Sequence, residues 1–316
     1  MPSARIFSGT LWRSRLYRVF ALIEELTAEF VANIFPPPKQ VRIDCSIHML
    51  VSGRSAAMGL IALRSFQRNA GFVCPVIFYD DGSLGRKAGL LKRRAAKGVT
   101  VEVISREQSD ALIEKLSLAN PATAAALRKW VFVRKYLAPY LFSPTAKYIL
   151  MDSDVIFFRR PREVLNWLSD ATPSWWFNQD CVYAYTHKAD ELESAFAIRL
   201  WMRVNAGLSL LDRRLFDLEL AERFFRFIGE TCEKHFWVEQ TLYAVEASTH
   251  GQGGFLPPTY QVTYGRELRL DAVSRHYIDN LKPALFYSQG VVGFIRQDIN
   301  NSLRKLTLTP TLLKGR

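Results

Sequence analysis

Cysteine is scarce in this chain of 316 residues, and its four copies lie far apart, at Cys45, Cys74, Cys181 and Cys232. No two of them have C-x-x-C spacing, so the sequence supports neither a zinc ribbon nor a disulfide framework, and a reducing compartment fits best. Internal repeats of solenoid length are also absent from the sequence. With 49% hydrophobic and 23% charged residues, the composition is that of an ordinary globular protein. We therefore expect one large domain or two closely packed ones.

Long hydrophobic runs are missing as well. Near the N-terminus, Glu24, Glu25 and Glu29 interrupt the apolar stretch, which stays short of the roughly 18 residues that a membrane span needs. The sequence also lacks helix-turn-helix, zinc-finger and RNP-type motifs, so we expect no nucleic-acid partner. The formal net charge is nevertheless +12, with 42 lysines and arginines against 30 acidic residues. Such a charge favours an anionic partner without choosing between a phosphorylated substrate and an anionic membrane face.

Both ends of the chain are basic. A helical spacing of apolar residues in 1–40 is carried by Leu16, Val19, Phe20, Ile23, Leu26, Phe30 and Ile34. We predict a helix that packs on the main domain and is followed by a proline-rich join. An interfacial helix whose arginines face lipid head groups is the alternative. Residues 291–316 form a basic tail, and segments of this kind are most often exposed to solvent. We expect a cytoplasmic protein with an option of peripheral contact at the inner face of a membrane.

The body of the chain alternates short apolar runs with helical patterns. The patterns predict strands over 43–51, 75–79, 99–104 and 147–151 and helices over 56–66, 84–96 and 123–141. Continuously apolar strands in a β-α-β order predict a mainly parallel, Rossmann-like α/β sheet flanked by helices. Ligands of such sheets bind beyond the carboxyl ends of the strands, which directs attention to the residues after Val51, Tyr79 and Met151.

Two carboxylates follow the fourth predicted strand. Asp152 and Asp154 are separated by one serine and lie between two apolar runs. Hard oxygen ligands of this kind suit Mg²⁺ or Mn²⁺, which in turn holds the phosphates of a nucleotide. A surface turn is the alternative, because aspartate commonly satisfies backbone amides in turns. The apolar flanks favour the metal site, since burying two carboxylates without a cation is costly.

Several short segments, in order along the chain, resemble family 8 of the retaining glycosyltransferases, which have the GT-A fold. The segments are 134–137 (RKYL), 148–157 (YILMDSDVIF), 204–211 (VNAGLSLL), 239–242 (EQTL), 256–260 (LPPTY) and 276–283 (HYIDNLKP). Two positions depart from the family pattern, where Glu239 replaces an aspartate and Asp279 replaces a glycine. The resemblance covers roughly residues 43–290 as an ordered set of motifs.

The resemblance implies a metal site and its phosphate partners. Asp152, Asp154 and His276 would hold Mn²⁺ or Mg²⁺, and Lys282 would place an ammonium on the diphosphate. A second cation would come from the helix before the metal strand. The alignment leaves open whether Arg134 or Lys135 supplies it. The physical role of these groups would be to stabilise the leaving nucleoside diphosphate in a dry pocket.

The resemblance also implies donor-sugar contacts. Asn205 would orient the sugar, and Gln240, with Glu239 beside it, would lie near the reacting anomeric carbon. From the residues alone, Asn205 is equally a turn residue before a glycine, and the other two are equally a helix face. Asp80 and Asp81, after the second strand, could accept hydrogen bonds from a base or ribose, or could form an ordinary turn.

We therefore predict a metal-dependent, hexosyltransferase-type glycosyltransferase that uses a nucleotide-diphosphate sugar, with UDP favoured by the resemblance. The acceptor would be a saccharide or a lipid-linked molecule, and transfer would retain the anomeric configuration. Residues 41–290 would form the catalytic domain, with a nucleotide-sugar half (41–158) and an acceptor half (159–290). One alternative is a haloacid-dehalogenase-like phosphatase with Asp152 as nucleophile, although that family places the motif on its first strand. A non-catalytic sugar-nucleotide-binding module is another, because of Glu239 and Asp279.

Overall fold

A computed structural model describes residues 15–38, 43–95, 99–229, 232 and 235–307 of the chain. The helices are α1 Arg15–Ile34, α2 Ala56–Ala70, α3 Lys87–Ala95, α4 Arg106–Leu116, α5 Pro121–Lys129, α6 Val133–Phe142, α7 Arg162–Ser169, α8 Ala189–Phe196, α9 Leu218–Ile228, α10 Val238–His250 and α11 Val292–Thr307. The strands are β1 Ser46–Val51, β2 Val76–Asp80, β3 Val101–Ile104, β4 Lys147–Met151, β5 Val155–Phe157, β6 Trp175–Gln179, β7 Val204–Asp212, β8 Gly253–Phe255, β9 Tyr260–Val262 and β10 Ser274–His276.

The central sheet has seven strands in the order β3-β2-β1-β4-β7-β6-β8. Strands β1 to β4 pair in parallel, whereas β7 runs antiparallel to both of its neighbours. Strand β8 pairs in parallel with β6, so β7 is the one strand of this sheet with the opposite direction. The predicted mainly parallel sheet is confirmed. The central sheet contains strands from before and after residue 158. The division of the catalytic domain into two halves at that residue stays a prediction.

Helices cover both faces of the sheet, which explains why β4 is buried throughout and apolar after Lys147. Ile149 and Met151 pack into the core beneath α1 and α2, whereas Tyr148 and Leu150 pack on the other side among residues of α5, α6 and α10. All five residues of β4 are buried. A strand buried on both faces cannot alternate apolar and polar residues, as strands exposed on one side do.

A second, three-stranded sheet lies beside the carboxyl end of β4, in the order β5-β10-β9. Its strand β10 pairs antiparallel with β5, so His276 lies opposite Val155. The backbone N–H of Tyr277 donates to the carbonyl of Asp154 at 3.0 Å. This pairing joins a segment near the C-terminus to the residues that follow β4.

The helix predicted over 123–141 is wrong, because α5 and α6 are separate. Trp130 ends α5 with an extended backbone (φ −118°, ψ 110°), and the helix resumes at Val133. No glycine or proline marks the break. The side chain of Trp130 is 7% exposed and lies in the core, so tertiary burial overrides the local helical pattern. The structure also contains α4, which was not predicted and which begins with a capping box between Ser105 and Gln108.

Helix α1 forms as predicted but buries a different face. Its contact with the core is made by Ala28, Val31 and Ala32, which are fully buried. The large apolar side chains Leu22, Ile23, Leu26, Phe30 and Ile34 are instead 51–56% exposed. Small side chains allow closer approach of the helix to α2, and the large ones are left outside.

Within the residues that the structure describes, no helix combines the length and apolar character needed to cross a bilayer. Membrane contact was one option for the basic segments 1–40 and 291–316. Helix α1 lies within the first segment and helix α11 within the second, whereas residues 1–14 and 308–316 lie outside the described residues.

Candidate active site at the carboxyl edge of the sheet

A cavity of about 330 Å³ opens beyond the carboxyl ends of β1 and β4. The residues after Val51 and Met151 line it, as the sheet topology predicts. Its walls come from distant parts of the chain, including β7, the start of α10 and the segment after β10. Predicted site residues that line it are Asp81, Lys135, Asp152, Asp154, Asn205, Glu239, Gln240, His276 and Lys282.

Three potential metal ligands converge at the centre of this cavity. One ligand atom each from Asp152, Asp154 and His276 lies within 4.8 Å of the others. The imidazole Nε2 of His276 is 3.2 Å from Oδ1 of Asp154 and 3.6 Å from Oδ2 of Asp152. The two carboxylates reach this point because β4 ends at Met151, and the histidine reaches it because β10 pairs with β5.

Asn205 fixes the orientation of the histidine ring. Its amide nitrogen donates to Asp180 at 2.8 Å, so its oxygen is the atom that faces Nδ1 of His276, at 3.0 Å. The same oxygen accepts from the backbone N–H of Gly207 at 3.1 Å. Nδ1 must therefore carry the proton, which leaves the lone pair of a neutral imidazole on Nε2 directed at the carboxylates.

The donor set fits a divalent cation. Oδ1 of Asp154 is buried and has no hydrogen-bond partner, although this side chain is 2% exposed. It faces Nε2 of His276, and with a neutral imidazole two electron-pair donors oppose each other without a proton between them. Two carboxylates and one imidazole form a ligand set that Mn²⁺ accepts somewhat better than Mg²⁺.

Two lysines neutralise the carboxylates. Nζ of Lys135 lies 2.7 Å from Asp152 and 3.3 Å from Glu239, in a side chain that is 6% exposed. Nζ of Lys282 lies 2.5 Å from Oδ2 of Asp154, and its side chain is 46% exposed. The first lysine is therefore fixed within the wall, whereas the second can turn toward a ligand in the cavity.

These contacts shift the pKa of each partner. Burial acts to raise the pKa of Asp154, but the positive charges beside it, that of His276 in its protonated form and that of Lys282, outweigh burial and hold the pKa far below its usual range. Burial acts to lower the pKa of Lys135, but Asp152 and Glu239 outweigh it and raise that pKa. Lys282 behaves in the same way beside Asp154. Both lysines remain cations at neutral pH, when an anionic ligand would need them.

Glu239 differs from the other carboxylates of the cavity. Its burial raises the pKa to about 8, although Lys135 acts in the opposite direction. Its Oε1 has no hydrogen-bond partner among the described residues. A carboxyl group that is protonated at pH 7 can donate a hydrogen bond, which the aspartates of this cavity cannot do.

A hydrogen-bond network joins the other two predicted sugar contacts. Oδ2 of Asp180 accepts from Asn205 at 2.8 Å and from the amide nitrogen of Gln240 at 3.4 Å. The same nitrogen of Gln240 also donates to the carbonyl of Ala184 at 3.0 Å. The network holds both amide side chains at the cavity wall. The role of Asp180 as the link between the two amides has no sequence signal.

The remaining predicted residues separate into two groups. Asp81 lines the cavity, whereas Asp80 accepts from the backbone N–H groups of Gly82 and Leu84 and so closes the turn after β2. Of the two basic residues on α6, Lys135 lines the cavity. Arg134 instead pairs with Asp110 of α4. The structure thus places Lys135 in the position for which the alignment left two residues open.

Gly207 provides the space that the histidine occupies. A Cβ atom built at this position would lie 2.2 Å from Nδ1 and from Cε1 of His276. Its carbonyl accepts from the backbone N–H of Asp152 at 2.8 Å. The glycine of the N-A-G segment is therefore explained by close approach of a ring and not by a turn.

Asp279 occupies a left-handed backbone conformation, with φ 50°. This is the position at which the resembled family has a glycine. Aspartate is among the residues that adopt this conformation with the smallest penalty after glycine. The substitution therefore does not prevent a glycine-like backbone in the segment between His276 and Lys282.

Other cavity residues were missed in the sequence. Ser52, Ser55, Phe132 and Phe236 line the wall on the side of β1 and α6. The location of the two serines beyond β1 was a signal for them, because ligands of such sheets lie there. Neither phenylalanine belongs to a motif.

The strand order, the D-x-D after β4 and the small sheet that carries the histidine define the GT-A fold of nucleotide-sugar glycosyltransferases. Among solved structures, the chain is similar to the galactosyltransferase LgtC in complex with donor and acceptor sugar analogs. The identity is 13%, the TM-score is 0.50, and the match covers 81% of this chain and 95% of LgtC. It is also similar to the bifunctional glycosyltransferase WbbM in its apo form, at 12% identity and a TM-score of 0.51. That match covers 84% of this chain and 50% of WbbM.

Mouse xyloside xylosyltransferase 1 in its apo form matches as well, at 15% identity and a TM-score of 0.49, over 77% of this chain and 99% of that one. No protein-family model matches the sequence, and no curated protein sequence matches it. The similarity therefore lies in the fold.

Proposed function

We propose that this protein is a metal-dependent glycosyltransferase that transfers a hexosyl group from a nucleotide-diphosphate sugar. The observation that carries the proposal is the convergence of Asp152, Asp154 and His276 at the carboxyl edge of a GT-A fold, with two lysines against them. The galactosyltransferase LgtC, whose structure contains donor and acceptor sugar analogs, supports the same reading.

In this proposal the chain's own side chains prepare the cavity for a diphosphate. Asp152, Asp154 and His276 hold Mn²⁺ or Mg²⁺, and a bound metal ion supplies a Lewis acid that offsets the growing charge of the leaving diphosphate. Lys282 turns from Asp154 to a phosphate oxygen, which its exposure allows. Lys135 stays between its two carboxylates and adds a fixed positive potential to the wall.

Asn205 and Gln240 orient the donor sugar through the amide groups that Asp180 holds at the wall. Glu239, protonated below its pKa of about 8, offers a hydrogen-bond donor beside them. The acceptor, a saccharide or a lipid-linked molecule, enters on the same side as the departing diphosphate. Such a route retains the anomeric configuration and requires no protein nucleophile. Asp81 and the serines after β1 contact the nucleoside, for which UDP is the first choice by the family resemblance.

Isothermal titration of the full chain with UDP tests the proposal. We expect binding in the presence of Mn²⁺ that is lost when a chelator is added. The Asp152→Ala/Asp154→Ala variant should bind at least about 100-fold more weakly, because metal ligands contribute more than the surrounding groups whose loss costs 10–100-fold. Asp271→Ala is the matched control, since this exposed carboxylate pairs with Arg269 away from the cavity.

The other possible results of these experiments would each favour one of the alternative functions or contradict the proposed one. Absence of binding to UDP and GDP with and without metal contradicts a glycosyltransferase. A phosphoenzyme that disappears in Asp152→Asn, with no need for a nucleotide-sugar, indicates the phosphatase. Metal-dependent binding without hydrolysis or transfer of any UDP-sugar indicates the non-catalytic module. If transfer occurs, the anomeric proton coupling in the product measures retention directly.

A further inference from the structure

Helix α1 exposes an unusual amount of apolar surface. Leu22, Ile23, Leu26, Phe30 and Ile34 are each more than half exposed, as far as the described residues show. In a helix these positions share one side, and from the first to the last they extend over about 18 Å. Scattered exposed apolar residues are normal, but a continuous row of this size marks an interaction surface. We refer to these five residues as the apolar stripe.

The charges beside the stripe are net positive. Two of the three acidic residues of α1 pair with α3, Glu25 with Lys87 at 2.8 Å and Glu29 with Arg94 at 3.2 Å, and Glu24 is half-buried. Two further basic residues of α3, Lys92 and Arg93, are exposed. Lys87 and Arg94 therefore offset the two paired carboxylates, and the other two cations of α3 add positive charge to that helix.

A second feature lies at the C-terminal end of the stripe. A cavity of about 620 Å³, separate from the candidate active site, is lined by several arginines. The basic residues are Arg68, Arg159, Arg160 and Arg162, and the acidic ones are Glu163 and Asp298. We refer to it as the arginine cavity.

Two of these arginines are available to a ligand. Arg68 pairs with Asp298, and Arg159 donates to the carbonyl of Leu270 at 2.6 Å. The guanidinium groups of Arg160 and Arg162 are exposed and have no hydrogen bond or ion pair within the described part of the chain. A guanidinium binds phosphate oxygens with two parallel hydrogen bonds, and exposed pairs of this kind are common phosphate sites.

The end of the stripe lies beside the arginine cavity. Phe35, next to Ile34, is buried against Phe294 with ring centroids 5.1 Å apart, and Phe294 lines the cavity. Pro38, four residues after Ile34, lines it too. The apolar stripe and the exposed arginines are therefore neighbours in the fold.

We propose that this face binds an anionic phospholipid bilayer, with the apolar stripe in the acyl boundary and the arginine cavity on lipid phosphates. An amphipathic helix lying in the interface with basic groups beside it is the arrangement that such binding requires. The anchor consists of described residues of α1, within the basic N-terminal segment 1–40, and of Arg160 and Arg162 at the start of α7. It goes beyond the proposed function and does not depend on it, because it uses no residue of the candidate active site.

Vesicle flotation of the full chain, without donor or metal, tests the proposal. Binding to vesicles that contain phosphatidylglycerol should exceed binding to phosphatidylcholine vesicles and should weaken as salt is raised. Arg160→Gln/Arg162→Gln should lower the partition coefficient about fivefold for each arginine. Leu26→Gln/Phe30→Gln should lower it by at least about tenfold, because two large apolar side chains no longer enter the interface.

Matched controls lie on the other side of the sheet. Arg128 and Arg199 are exposed on elements of the opposite core, so Arg128→Gln/Arg199→Gln removes the same charge elsewhere. Leu118 is 94% and Met202 43% exposed, so Leu118→Gln/Met202→Gln removes comparable apolar surface. Both controls should bind vesicles like the wild type, and circular dichroism should show every variant folded.

Three results would overturn the proposal. One is equal binding to neutral and anionic vesicles, which would leave the arginine cavity without a role. Another is equal loss in the control variants. The third is a wild-type dimer in sedimentation velocity that Leu26→Gln/Phe30→Gln converts to a monomer, with no vesicle binding by either protein. That result would assign the stripe to a second copy of the chain. UDP binding measured on the same samples keeps this outcome separate from the proposed function.

Discussion

The two ends of strands β1 and β4 contain buried polar groups of opposite character. At the amino end, the hydroxyl of Ser46 contacts His48 at 2.8 Å, Ser143 at 2.9 Å and Thr145 at 2.8 Å. His48 completes its bonding with the hydroxyl of Tyr79 at 2.7 Å. These partners are neutral, and each has a bonded neighbour. Such a network stabilises one arrangement of the sheet and offers nothing to a ligand.

At the carboxyl end the groups are ionisable and incompletely bonded. Oδ1 of Asp154 and Oε1 of Glu239 are buried without hydrogen-bond partners. Lysines hold the carboxylates, but one of these lysines is nearly half exposed. A buried ionisable group without a partner lowers stability. We therefore expect such groups where a bound ligand supplies the missing partner. The difference between the ends separates a structural network from a binding site better than burial does.

Replacing one lysine at each end of these strands should give the largest difference between the two ends, measured as the loss in free energy of unfolding. Lys135 lies between two carboxylates, whereas Lys147 at the amino end donates to the backbone carbonyls of Trp167 and Asp170. Lys135→Met should lower the free energy of unfolding by about 3 kcal/mol, because the Asp152 carboxylate loses its buried cation and the Glu239 carboxyl group loses the ammonium beside it. Lys147→Met should lower it by about 1–2 kcal/mol, the value of lost hydrogen bonds.

The two lysine variants should also respond differently to metal. Mn²⁺ should recover part of the stability lost in Lys135→Met, since the ion supplies positive charge to Asp152, and should leave Lys147→Met unchanged. Urea unfolding with Mn²⁺ and with chelator measures both effects. If the two variants lost equal stability and neither loss changed with Mn²⁺, the two ends would not differ in the way described above.

Gly207→Ala tests the position of the His276 ring, a feature of the carboxyl end alone. The added methyl group would meet the ring of His276 at 2.2 Å, so the ring must move away from the two carboxylates. We expect UDP affinity in Mn²⁺ to fall about 100-fold, the upper range for groups that position metal ligands. Gly89→Ala in α3 is the control, because the added methyl group meets only the flexible end of Arg93, at 3.3 Å. Unchanged affinity in Gly207→Ala would argue against His276 as a ligand.

Local sequence was sufficient for the core of the fold and for the two carboxylates. The apolar run of β4 and the aspartates after it are adjacent in the chain, and both follow from the chemistry of a strand end. Local sequence was not sufficient to decide which of Arg134 and Lys135 faces the cavity. Neighbouring residues on a helix point about 100° apart, so the answer depends on how α6 rotates against the sheet. The fold turns Lys135 to the cavity and Arg134 to Asp110.

Other features depend on contacts between distant segments, which no periodicity records. The face that α1 buries is chosen by how closely its alanines approach α2, and the pattern of large apolar residues indicates the opposite face. The role of Asp180 depends on a meeting of β6, β7 and α10. The motif resemblance supplied Asn205 and Gln240, but the carboxylate that joins them belongs to no motif.

The smallest expected effect, taken per pH unit, is a pair of opposite pH slopes in the free energy of unfolding, one from each end. Burial lowers the pKa of His48 to about 3 and raises that of Glu239 to about 8. Between pH 3 and 6.5 the unfolded chain binds the extra proton at His48, so that group's stability contribution falls as pH falls. Between pH 4.5 and 8 the folded chain binds the extra proton at Glu239, so its contribution falls as pH rises.

Urea unfolding in chelator across pH 5 to 8 tests both slopes, with the Glu239→Gln and His48→Gln variants beside the wild type. Relative to the wild type, Glu239→Gln should gain stability as pH rises and His48→Gln as pH falls below 6.5, each by at most about 1.4 kcal/mol per pH unit. Between pH 4.5 and 6.5 the two slopes oppose each other in the wild type, so only the variants reveal them. Parallel curves for all three proteins would mean that neither group is perturbed by its end of the sheet. A slope in one variant alone would assign the pH response to that end of the sheet.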